Sequence, residues 1–167
     1  KEFIKIVSRA NFLLELDVLS PKEADQILEM MIWFAGGEKE EKNIRLRRGK
    51  LLYRLGESDP ANYDRAIVEF KGAIDYKDLS KISNAEIRQL QIKKFEGNLW
   101  IARCLFGKKD FEKTLKHLQA MQSDLHQIDG RDSGKIEVEL LKEFNSLLKR
   151  VLRKLKRYDE ADEEAPL

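Results

Sequence analysis

Apolar residues recur along this chain at three- and four-residue intervals, and no stretch sustains the alternation of a half-buried strand. Phe3, Ile6, Val7, Phe12 and Leu13 trace one helical face over about residues 2–18. Ser20 and Pro21 then mark a helix start, with Pro at the first helical position and Glu23 close behind. Ala24, Ile27, Leu28, Met31 and Ile32 carry that second helix to about Ala35, where Gly36 and Gly37 stop it. A third helix is predicted over about 40–55, closed by Gly56. A turn rich in Ser, Asp, Pro and Asn follows over 57–62, and a fourth helix carries Ala66, Ile67, Phe70, Ala73 and Ile74. Beyond a mixed stretch over 76–83, helical periodicity predicts a long fifth helix at about 85–107, a sixth at 110–128, a seventh at 135–156 and a short eighth at 158–164.

Composition agrees with amphipathic helices. Apolar residues make up 42% and charged residues 37% of the 167 positions, too apolar for a disordered chain and more charged than the usual quarter. The formal net charge of +2 offers no overall attraction to nucleic acid. A lone cysteine, Cys104, excludes an internal disulfide and sits in an apolar helical stretch as a small core residue. No apolar run reaches the roughly 18 residues a membrane helix needs, and no signal-peptide pattern opens the chain. Its first residue, Lys1, suggests a piece of a longer protein.

Helix pairs joined by tight turns are the unit of helical solenoids, so a repeat is expected. In residues 45–76, Gly49 stands in a small slot of the first helix, and Tyr63, Ala66, Phe70 and Ala73 are spaced along the second. Residues 98–128 offer Ala102, Phe111, Leu118 and Met121, with Thr114 at a further small slot. Tyr158 and Ala161 give a third, partial match, and Ala24, Leu28 and Met31 a fourth. This spacing resembles the tetratricopeptide repeat (TPR), a two-helix unit of about 34 residues. The departures are a longer turn in the first good repeat and Thr114 where the family has Ala. The likeness extends to the TPR domains of large immunophilins and co-chaperones. It implies an all-α fold of about 7–8 helices, with antiparallel pairs stacked as a short right-handed solenoid. The whole chain is then one domain, divided into an N-terminal pair at 1–36, a repeat at 40–76, a repeat with a long first helix at 85–128 and a partial repeat at 135–164.

Catalytic chemistry is hard to find. His117 and His126, the only histidines, lie nine residues apart on one predicted helix and point about 180° away from each other. They are expected in solvent or in turn contacts. Residues 130–134 lack the Lys-Ser/Thr of a phosphate-binding loop. The acidic residues nearly all neighbour Lys or Arg and read as solvated helix faces. No catalytic, cofactor-binding or metal-ligating residue is assigned, no cofactor is expected, and the chain does not read as an enzyme.

The resemblance implies a concave groove lined by the first helix of each pair. The matching positions are Lys50, Tyr53 and Arg54, then Trp100, Arg103 and Phe106, then Arg150, Arg153 and Lys154. Cations with aromatic anchors favour an acidic or amphipathic peptide of a partner protein. Some family members grip a chaperone's terminal carboxylate with a clamp of Lys, Arg and Asn. The corresponding set here, Leu46, Lys50, Trp100, Glu143 and Leu147, does not reproduce it. The resulting expectation is a cytoplasmic or nuclear scaffold or adaptor that touches no membrane, and whose truncated last repeat leaves an end for oligomerisation. Two alternatives stand beside it: a nucleic-acid-binding module using the basic faces at 45–50 and 149–157, and the TPR part of a larger immunophilin-like protein.

Overall fold

The first N–H groups of a helix lack partners within it, and side chains near the start can supply them. The computed structural model describes Ala10, residues 18–76, residues 84–122, Leu125 and residues 135–156. Helix α1 (Pro21–Trp33) opens with a capping box: the Glu23 amide donates to Ser20 Oγ at 3.3 Å, and the Ser20 amide donates to Glu23 Oε2 at 2.8 Å. Helix α2 (Glu38–Leu55) places Glu38, Glu40 and Glu41 in its first turn, beside the positive end of the helix dipole. Helix α3 (Ala61–Ile74) follows the Pro-containing turn, where Asp59 Oδ1 accepts from the Ala61 amide at 3.1 Å. Next come α4 (Asn84–Gly107), α5 (Phe111–Gln122) and α6 (Lys135–Lys154).

The described elements are all helical, six in number, and agree with the sequence reading to within about two residues at most ends. Of the helix expected over 2–18 only Ala10 and Val18 are described, the first helical and the second not; the segment 158–164 lies outside the described residues.

The chain divides into two compact units, Lys1–Tyr76 and Lys77–Leu167. In the first, α2 packs against both α1 and α3. Its approach to α3 depends on two glycines. A Cβ on Gly49 would lie 2.6 Å from the Phe70 ring, and one on Gly56 would lie 2.5 Å from the Tyr63 ring. Gly49 on α2 and Gly56, which closes it, are seven residues apart and the aromatics seven apart on α3, so two antiparallel helices repeat one contact two turns on. Phe70 and Ala66 are fully buried there. On the other side of α2, Leu28 and Met31 of α1 close over Ile44, with Ala10 in the same cluster.

In the second unit α4, α5 and α6 share a core built on Phe95, Leu99, Ala102, Leu118, Phe144 and Val151. The turn between α4 and α5 puts Lys109 at φ 62°, in the left-handed region. Asp110 then caps α5. Thr114 is fully buried, and its hydroxyl donates to the Asp110 carbonyl at 2.7 Å, which is how a polar residue fits a small slot between helices. Leu99, Ile101 and Cys104 are all buried, so α4 is covered on more than one side.

Candidate partner-binding surfaces

In the second unit, three of the expected groove residues come together with a fourth from α6. On α4, Trp100 and Arg103 occupy a narrow half-buried stripe beside the core-facing row of Phe95, Leu99 and Ala102. The Arg103 guanidinium lies over the Trp100 ring, 4.3 Å from its centroid. It also donates from Nη2 to Glu143 Oε2 on α6. One turn further along α4, the Arg150 guanidinium of α6 covers the Phe106 ring at 4.6 Å, and Phe106 meets Phe111 edge-on at 5.3 Å. Each stacked cation contributes roughly 0.5–1 kcal/mol at such a site. Stacking also fixes two long side chains before any partner arrives, which lowers the entropy cost of binding. Because Glu143 already engages Arg103, much of the positive character of this face resides in Arg150, Arg153 and Lys154. Arg153 and Lys154 are exposed on the last turn of α6.

The other three groove residues do not share one direction. Tyr53 turns toward α3 and meets Tyr63 at 5.7 Å between ring centroids. Lys50 and Arg54 line a cleft between α1 and α2. Of the clamp positions, Leu147 is buried and Glu143 is paired with Arg103.

Two expectations need correction. The acidic residues of the first unit are not all on solvated faces. Glu69 and Arg48 are buried, and Asp25 is nearly so. Arg48 sits between α1 and α3, with Nε at 2.7 Å from Asp25 Oδ1, Nη1 at 3.2 Å from Glu69 Oε1 and Nη2 at 3.3 Å from Glu29 Oε1. Arg65 and Arg45 extend the network, reaching Asp25 at 2.6 Å and Glu69 at 3.1 Å. Burial pushes the Asp25 carboxyl up, but hydrogen bonds from Arg48 and Arg65 and their charge outweigh it and hold the group below its ordinary value. Sequence adjacency misled here because the partners are 19 to 40 residues apart. The second correction is His117, which is half-buried rather than in solvent or a turn. Its Nε2 lies 3.1 Å from the Asn98 carbonyl on α4, a contact that needs the ring proton on Nε2. His126 lies outside the described residues.

The sequence reading also passed over Trp33 and Phe34. Together with Met30 they lie on the face of α1 opposite Leu28 and Met31, and Trp33 is 83% exposed. The signal was available, since the spacing 30, 33, 34 falls outside the core-facing row.

Among the described residues no group of His, Cys, Asp or Glu is placed to hold a metal ion, and no helix is long and apolar enough to cross a membrane. No protein-family model, curated protein or solved structure matches the chain.

Proposed function

We propose that this chain is a protein-interaction scaffold or adaptor, a short TPR-like right-handed solenoid that holds a peptide or helix of a partner protein. The observation that carries the reading is the α4–α6 surface, where Trp100 and Phe106 each lie under an arginine and Arg153 and Lys154 continue the positive charge. Binding hot spots concentrate in such aromatic and arginine anchors, because they bury much area with few rotatable bonds. An acidic or amphipathic segment suits the surface by charge. The Gly49–Phe70 contact and the burial of Ala66, Ala73, Ala102 and Thr114 support helix pairs of the TPR kind, with small residues where helices cross closely. A chaperone-type carboxylate clamp is not part of this proposal, and neither is catalysis. The nucleic-acid alternative loses ground, because Arg45 and Arg48 of the basic stretch 45–50 are taken up by Glu41, Asp25 and Glu69.

The test compares proteins captured from a cytosolic extract by the wild-type chain, by Trp100→Ala/Arg150→Glu, and by Lys108→Glu as an exposed control. A partner retained by wild type and control but lost by the double variant supports the surface. Identical capture by all three contradicts it.

A further inference from the structure

Two cations of the α4–α6 surface lie over aromatic rings, and they differ in one respect. Arg150 covers the Phe106 ring with no carboxylate paired to it among the described residues. Arg103 covers the Trp100 ring and is already met by Glu143. That pair is asymmetric. The Arg103 side chain is 24% exposed and rests on the ring, whereas the Glu143 side chain is 48% exposed. Only Nη2 of Arg103 donates to Glu143, so the two-pronged approach that a guanidinium offers a carboxylate is unused. An ion pair this open to solvent shifts an equilibrium by about fivefold at most. Glu143 therefore leaves at little cost, and the stacked guanidinium stays in place when it does.

We propose that Glu143 holds the place of a partner's carboxylate, and that the segment recognised is a helix carrying two acidic residues two turns apart with apolar residues between them. The inference rests on the α4–α6 surface being the one that receives a partner. One carboxylate displaces Glu143 and meets Arg103 with both oxygens, and the other meets Arg150. Trp100 and Phe106 are six residues apart on α4, about 9 Å along its axis, and two turns of a partner helix cover about 10.8 Å. Apolar side chains between the two acids then reach the ring edges. Stacking fixes Arg103 and Arg150 before the partner arrives, so the swing of Glu143 is the main adjustment. Glu143 also sets specificity. A segment without a carboxylate leaves the Arg103–Glu143 pair intact and gains nothing from Arg103.

The probe is a labelled helical peptide, Ala-Glu-Ala-Ala-Leu-Leu-Ala-Ala-Glu-Ala-Ala-Gln, with a counterpart in which Gln replaces both Glu. Fluorescence anisotropy with the full chain is expected to show the acidic peptide binding at least about fivefold more tightly than the Gln peptide. Glu143→Gln should tighten the acidic peptide by about three- to fivefold and leave the Gln peptide within about twofold of wild type. A residue that merely props the surface would weaken binding when changed. In an Arg103→Gln background the gain from Glu143→Gln should fall below about twofold, because the cation it uncovers is gone. Circular dichroism should be the same for all these variants, since neither side chain belongs to the core cluster. Unchanged or weaker binding in Glu143→Gln, an equal gain for the Gln peptide, or the full gain without Arg103 would overturn the stand-in role. So would the absence of binding to either peptide by wild type and Glu143→Gln alike. If Trp100→Ala/Arg150→Glu weakens the acidic peptide in those cases, the α4–α6 surface still stands. Acidic-peptide binding that this double variant leaves undiminished would remove the surface itself.

Discussion

Arg48→Met is the sharpest probe of how the first unit holds together. Arg48 has only 8% of its side chain exposed and bridges α1 to α3 through α2. Methionine keeps the stem and the helix propensity but removes the guanidinium. Asp25 then retains Arg65, and Glu69 retains Arg45, so neither carboxylate is orphaned. Breaking a buried pair by removing one partner costs roughly 3–5 kcal/mol. The remaining partners place this case near the lower end, about 3 kcal/mol. For a unit of this size each kcal/mol lowers Tm by roughly 4–8 °C, so the first unit should melt about 12–24 °C earlier. Urea unfolding followed by circular dichroism measures the loss directly. Arg48→Lys should recover less than half of it, because one ammonium cannot span Asp25, Glu69 and Glu29 together. The triple variant Asp25→Leu/Arg48→Met/Glu69→Leu should be more stable than Arg48→Met alone, since it removes the buried charges on both sides. A loss below about 1 kcal/mol for Arg48→Met would refute the claim that this network fastens α1 and α3 to α2.

Three further predictions follow from the same contacts. Asp25 titrates below its ordinary value in the folded chain, so its stabilising effect is present above about pH 4 and lost as the pH falls through the lowered value; the stability gap between wild type and Asp25→Asn should close as the pH falls through that lowered value. Gly49→Ala should destabilise by about 1–2 kcal/mol in thermal unfolding even though Ala is the better helix former, because its Cβ would meet the buried Phe70 ring at 2.6 Å. Lys109→Gly should stabilise the second unit by up to about 1 kcal/mol, relieving a side chain held at φ 62°.

Helix boundaries were legible because their signals are local: Ser20 with Pro21, the Gly36–Gly37 pair and the turn over 57–62 are each read within a few residues. The core was legible where small and large residues alternate at helical spacing, as for Gly49, Ala66, Phe70 and Ala73. The interior of the first unit was not. Arg48 differs from its neighbour Arg47 in nothing the sequence displays, and only its position between α1 and α3 separates a buried cation from an exposed one. Trp100 illustrates the same limit. Between buried Leu99 and buried Ile101, periodicity left it as either core or groove. The α4 backbone puts it at the edge of a covered face, half-buried under Arg103. The expected groove residues divided for a related reason. Tyr53 follows Lys50 by three positions, but its ring is drawn toward Tyr63 while Lys50 and Arg54 border the cleft.

If the α4–α6 surface receives a partner protein, hydrogen–deuterium exchange of the full chain with and without a captured partner will show it. Backbone amides near Trp100, Arg103 and Phe106 on α4 and around Arg150 on α6 should exchange more slowly in the complex, while those of α5 near Leu118 stay unchanged because they are already buried. Protection confined to regions outside α4 and α6, with exchange around Trp100 and Arg150 unaltered, would place the partner elsewhere.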